Sequence, residues 1–70
     1  MNSEIIKTAI IANLDALAAR LEHMTEAAKE AAEGMPKHGQ NWAIGTILEF
    51  EQMMPEIQAL YTTIKTLHRV

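Results

Sequence analysis

The chain has 70 residues, a net charge of −3 and no cysteine, so disulfides and thiolate metal sites are excluded. A chain of this length buries only about 60% of the surface of its unfolded form, which makes a lone core marginal and favours oligomerisation. Its six Lys and Arg residues are scattered along the sequence, which argues against nucleic acid as a partner.

The apolar residues are mostly of the types that form helices. Hydrophobic residues make up 49% of the chain and aromatic residues only 4%, with Ala, Leu and Met prominent. The most apolar segment, residues 5–21, carries Lys7, Asp15 and Arg20 and so lacks the roughly 20 apolar residues of a membrane span. The N-terminal residues do not resemble a signal peptide. We therefore expect a soluble, cytoplasmic, all-α protein with no membrane partner.

The first predicted helix covers residues 3–33. Asn2 and Ser3 are candidate N-cap residues at its start. Gly34 is a candidate for the left-handed residue that follows a helix, and Pro36 cannot easily continue one. The sequence therefore predicts that this helix ends at residue 33.

The glycines and proline of segment 34–40 predict a turn, after which Asn41 can cap a second helix over residues 41–68. Pro55 either kinks or splits this helix, because an interior proline costs about 3 kcal/mol. The apolar spacing continues in phase across Pro55, which favours a kink. Two long helices joined by a short turn predict an antiparallel helical hairpin, forming a single domain over residues 1–70.

Apolar residues recur at alternating spacings of four and three in both helices, which predicts a coiled-coil-like seam. An adjacent apolar column of Met53, Leu60 and Leu67 widens the stripe on the second helix, as in a bundle helix. The predicted seam positions are Ile10, Leu14, Leu17, Leu21, Met24, Ala28, Ala31 and Met35 in the first helix and Ala43, Ile47, Phe50, Met54, Ile57, Tyr61, Ile64 and His68 in the second.

The N-terminal half of the first helix carries a second apolar face beside that seam. One neighbouring helix cannot bury both faces, so the surplus predicts an interface at the open end of the hairpin and a homodimeric four-helix bundle. The alternative is that the alanines of this face only favour helix formation on a solvated surface. The predicted interface residues are Ile5, Ala9, Ala12, Ala16, Ala19, Leu60, Tyr61, Ile64 and Leu67.

A run of carboxylates near the end of the first helix is a candidate partner patch. Glu22, Glu26, Glu30 and Glu33 repel one another at helical spacing and oppose the helix dipole. They form either a solvated face or an acidic patch for a basic partner protein.

Trp42 is the single tryptophan and lies off the predicted seam. An exposed tryptophan is a frequent binding anchor. The alternative is that Trp42 folds over the turn and packs on Met35 or Pro36.

The sequence offers no constellation for catalysis or metal binding. His23, His38 and His68 are far apart, and no carboxylate–histidine metal motif is present. We expect no enzyme activity, metal or cofactor. The predicted function is a small protein-interaction module, a self-associating hairpin acting as an adaptor, inhibitor or chaperone-like partner. The alternatives are an RNA-binding hairpin dimer and a secretion-apparatus co-chaperone, both of which are likenesses of architecture only.

Overall fold

The computed structural model describes residues 3–70, which form three helices. Helix α1 spans Ser3–His38, α2 spans Gln40–Thr46 and α3 spans Phe50–Arg69. Helices α2 and α3 form a second limb that packs back along α1. The predicted all-α hairpin is thus confirmed, whereas the cap predicted at Asn2 lies outside the described residues. None of the helices in residues 3–70 combines the length and apolarity that crossing a bilayer requires.

The turn between the two limbs is a single residue, Gly39, and not the whole of segment 34–40. Gly39 has φ 91° and ψ 171°, a combination that is almost exclusive to glycine. Its amide donates to the Met35 carbonyl at 2.8 Å and its carbonyl accepts from the Ala43 amide at 3.2 Å. One residue therefore ends α1 and begins α2.

Helix α1 continues through both residues that were expected to end it. Pro36 lies in the last turn of α1. There it removes only one backbone hydrogen bond, so it can be accommodated. Gly34 lies beneath Trp42, and a Cβ atom at position 34 would overlap the indole ring. Gly34 is therefore a position of close packing inside the helix and not the residue that follows it.

The second limb is interrupted at residues 47–49, ahead of Pro55. The Ile47 amide donates to the Ile44 carbonyl at 3.2 Å, and the Phe50 amide donates to the Ile47 carbonyl at 3.0 Å. These bonds span three residues and tighten the chain into a short 3₁₀-like turn. Pro55 itself lies within α3. The limb is therefore broken about two helical turns before the proline, and α3 runs through Pro55.

The interior of the hairpin is thin. Among the described residues, the buried apolar side chains are Met24, Ala27, Ala31 and Ala43, with 6–8% of their surface exposed, and no large side chain is completely buried. The Cα radius of gyration is 16.3 Å. A compact domain of 70 residues would have a radius of about 11 Å. The molecule is a long rod whose core consists of one layer of contacts between two limbs.

In α1, one column of the predicted seam faces the second limb and the other does not. The predicted column of Ile10, Leu17, Met24 and Ala31 is buried or half-buried. The prediction for its neighbour was wrong, because Leu14 and Leu21 are exposed. Near the turn, the small residues Ala27, Ala31 and Gly34 lie inwards, where they let the helix backbones approach closely. The interior column of Ile10, Leu17, Met24 and Ala31 is flanked on one side by Asn13, Arg20, Ala27 and Gly34, which are buried or half-buried, and on the other side by the exposed residues Leu14, Leu21, Ala28 and Met35.

Helix α3 shows the same rotation relative to its predicted seam. Ile57 and Ile64 are half-buried as predicted, but Met54 and Tyr61 are exposed. Their places are taken by the adjacent apolar column of Met53, Leu60 and Leu67, which is half-buried. In both helices a predicted seam column of large side chains is therefore left without a partner.

Candidate interaction surface

Among the described residues, an ion pair and a hydrogen bond join the limbs along one edge of the hairpin. The guanidinium of Arg20 lies 3.6 Å from a carboxylate oxygen of Glu56. The Nε2 atom of His23 lies 2.8 Å from a carboxylate oxygen of Glu49. Because these side chains are largely open to solvent, each pair contributes at most about 1 kcal/mol. We call this side of the hairpin, defined by Arg20, His23, Glu49 and Glu56, the polar edge.

The side opposite the polar edge is apolar. Around α1, Leu14 and Leu21 lie on the other side of the interior column from Arg20. Around α3, Met54 and Tyr61 lie on the other side of the interior column from Glu56. Helix geometry therefore brings the exposed columns of both limbs to the same side of the hairpin.

Helix α2 extends this side towards the turn. Trp42 points towards Gly34, Ala43 is buried against α1, and Ile44 follows on the side away from Trp42. We call the whole surface the apolar face. It consists of Ile11, Leu14, Ala18, Leu21, Ala28, Ala32, Met35, Ile44, Met54 and Tyr61.

On α1, the apolar face has the regularity of a second coiled-coil seam. Positions 11, 14, 18, 21, 25, 28, 32 and 35 alternate spacings of three and four, and Thr25 is the one polar residue among them. All eight are exposed. Helix α1 therefore carries two neighbouring seams, of which the second limb occupies one. Assigning heptad positions from Ile11 onwards reveals the exposed seam in the sequence as well.

The exposed surface is large for a chain of this size. A compact monomer of 7.8 kDa has about 4,400 Å² of accessible surface, whereas this hairpin has 5294 Å². The large side chains of the apolar face are 46–58% exposed. Each leaves on the order of 100 Å² uncovered, so the face offers roughly 800 Å², the share of one partner in a standard interface. The largest apolar patch of a typical monomer is only about 300–600 Å².

The nine residues predicted as an interface do not share one surface. Five of them, mainly from α3, are half-buried between the limbs, and the others are exposed. An apolar hollow of about 420 Å³ at the N-terminal end of α1 is lined by three of them together with Glu4 and Thr8. Association through these residues stays a prediction. The half-buried residues are Ala9, Ala16, Leu60, Ile64 and Leu67, Tyr61 belongs to the apolar face, and Ile5, Ala12 and Ala19 lie elsewhere on α1.

Trp42 folds over the turn, in agreement with one of the two alternatives, and it packs on Gly34 and His38. The indole ring lies against Gly34, and its centroid is 4.6 Å from that of the His38 ring. The residue is half-buried. Its packing therefore ties α2 to the end of α1.

The predicted acidic patch is exposed along α1. Glu26, Glu30 and Glu33 line an open groove of about 530 Å³ beside Trp42. Lys29 and Lys37 also line this groove. The two ammonium groups offset much of the negative charge of the groove, and binding of a basic partner there stays a prediction.

Within residues 3–70, no three His, Asp or Glu side chains converge in a way that could hold a metal ion. The chain matches no protein-family model, no curated protein and no solved structure. The apolar face, with seven large side chains about half exposed, is therefore the surface from which a function is inferred.

Proposed function

We propose that this chain is a small protein-interaction module, a self-associating helical hairpin that binds through its apolar face. The observation that carries the proposal is the second 3.5-residue seam of α1, which is regular over eight positions and open to solvent. A sustained seam of this kind buries its side chains against another helix. The second limb covers only the neighbouring seam, so the partner for this one is another chain.

The size of the surface supports the same proposal. Roughly 800 Å² from each of two partners gives an interface of standard size, within the range of stable complexes. Within residues 3–70, the interior of the single hairpin contains four buried apolar residues, three of which are alanine. Burying the apolar face would therefore add a hydrophobic layer comparable to the hairpin's own interior, and association would stabilise the folded chain by mass action.

The side chains of the apolar face suggest how such a module acts. Leu, Ile and Met provide hydrophobic area, and the flexible Met side chains adapt to partners of different shape. They offer no acid, base or nucleophile. In this proposal the chain acts by covering a helical surface, as an adaptor, inhibitor or chaperone-like partner, and does not act by catalysis.

Sedimentation equilibrium on three forms of the full chain tests the proposal. The wild type is expected to dimerise at micromolar concentration. The double variant Leu14→Gln/Leu21→Gln is expected to be monomeric with unchanged helicity, because it removes two central side chains of the apolar face. The matched control Ile5→Gln/Ala12→Gln changes exposed apolar residues outside this face and should still dimerise.

Two results would overturn the proposal. One is a well-folded wild-type monomer at all accessible concentrations that binds no apolar dye. The other is a Leu14→Gln/Leu21→Gln variant that dimerises as strongly as the wild type. If the Ile5→Gln/Ala12→Gln variant were instead the monomeric one, association would occur through the N-terminal residues of α1 and not through the apolar face.

A further inference from the structure

The apolar face is self-complementary when two copies of α1 run antiparallel, and this inference rests on the proposed function. We propose that the partner of the apolar face is a second copy of this chain, packed face to face in a four-helix bundle. In this dimer the two α1 helices are antiparallel and cross their two-fold axis near residue 23. The axis then places Leu21 of each copy beside Thr25 of the other.

The sizes of the side chains along the exposed seam favour this direction. An antiparallel pairing centred at residue 23 puts Leu14 opposite Ala32 and Leu21 opposite Thr25, so that two of its four distinct layers pair a large side chain with a small one. The other two layers pair Ile11 with Met35 and Ala18 with Ala28. In every layer, a residue from one column of the seam then faces a residue from the other column of the second copy, as in antiparallel coiled coils. A parallel pairing would put Leu14 against Leu14 and Ala32 against Ala32. No layer would then pair a large side chain with a small one, and the consecutive Ala28 and Ala32 layers would leave a gap between the layers of Leu21 and Met35, contrary to close packing.

The second limb is compatible with the same axis. The contact of His23 with Glu49 shows that residue 23 of α1 lies level with the start of α3. The exposed residues Ile44 and Met54 lie on either side of that level. Each limb therefore has exposed apolar side chains above and below a two-fold axis at residue 23, as an isologous interface requires.

Charges beside the exposed seam are complementary in this arrangement. Asp15, Glu22 and Lys29 are spaced by seven residues and border the seam on its outer side. Among residues 3–70, neither Asp15 nor Lys29 takes part in an ion pair within the chain. The antiparallel dimer places Asp15 of each copy near Lys29 of the other, and it does so twice because of the symmetry. Glu22 approaches Glu22 of the second copy near the axis, where the two carboxylates repel.

A charge exchange tests the register. The variants Asp15→Lys and Lys29→Asp each replace two attractive contacts by two repulsive ones, and each is expected to weaken dimerisation roughly five- to thirty-fold at low salt. The combined variant Asp15→Lys/Lys29→Asp restores both attractive pairs and should return the dissociation constant to within about two-fold of the wild type. Glu22→Gln should tighten the dimer about two- to five-fold, because it removes the repulsion at the axis.

The control is Glu30→Lys, which changes the net charge as much as Asp15→Lys does but lies on the opposite side of α1. It should leave the dissociation constant within about two-fold of the wild type. Sedimentation equilibrium measures the constants, and circular dichroism verifies that each variant folds. A monomeric wild type overturns both the proposed function and this inference. A wild-type dimer in which the combined variant is as weak as the single variants overturns the antiparallel register alone.

Discussion

Met24 and Met35 provide a direct test of how α1 is rotated in the hairpin. The two residues belong to the same seam in the sequence, but Met24 is 8% exposed and Met35 is 46% exposed. Replacing Met24 by Ala removes a buried side chain, and we expect a loss of about 2–3 kcal/mol, near the lower limit for core methionines because the thin interior can collapse. Replacing Met35 by Ala removes contacts on one side only, which should cost less than about 1 kcal/mol in the monomer.

Urea unfolding followed by far-UV circular dichroism measures both losses. The measurement is made in the Leu14→Gln/Leu21→Gln background, so that association does not contribute to stability. Both substitutions change helix propensity equally, which makes each the control for the other. In a domain of this size the Met24→Ala variant should melt about 8–20 °C lower. Equal losses at the two positions would refute the observed rotation of α1 and support the seam predicted from the sequence.

Three further predictions concern the glycines and Pro55. Gly34→Ala should displace the Trp42 ring and shift its fluorescence to longer wavelength, and unchanged emission would show that the ring does not pack on Gly34. Gly39→Ala should lower the free energy of unfolding by about 1–3 kcal/mol because residue 39 has a positive φ. Gly45→Ala should raise the free energy of unfolding by about 0.5–1 kcal/mol, because the added Cβ atom points into open space and alanine favours the helix. Equal effects of the two substitutions in denaturant titrations would contradict this. Pro55→Ala should raise the free energy of unfolding by about 1–2 kcal/mol by restoring a helical hydrogen bond, and a lower melting temperature would contradict it.

The glycine and proline residues of the sequence did not suffice to locate the turn. Gly34 and Gly39 are each followed within a few residues by helix-compatible sequence, so the sequence predicted one turn over the whole segment 34–40. The structure places the reversal at Gly39 because Trp42 packs on Gly34 from the second limb. That contact spans the turn itself, so it exists only once the limbs have come together.

The candidate interface shows a similar limit. The sequence correctly indicated that α1 has more apolar surface than one neighbour can cover. It assigned the excess to the N-terminal alanines and isoleucines, because the seam through Leu14 and Leu21 was taken to face the second limb. The structure turns that column outwards, and the large open surface runs along most of α1 and not only along its first half.

The sequence alone determined that the chain forms two helical limbs joined by a glycine turn, because helix propensity and the scarcity of glycine and proline act locally. Only the tertiary structure decided which of two overlapping 3.5-residue seams faces inwards. Both seams have the same period and differ by a small rotation about the helix axis, so periodicity cannot rank them. The buried residues Ala27, Ala31 and Ala43 let the limbs approach closely near the turn, and this contact fixes the rotation of α1 that turns Leu14 and Leu21 outwards.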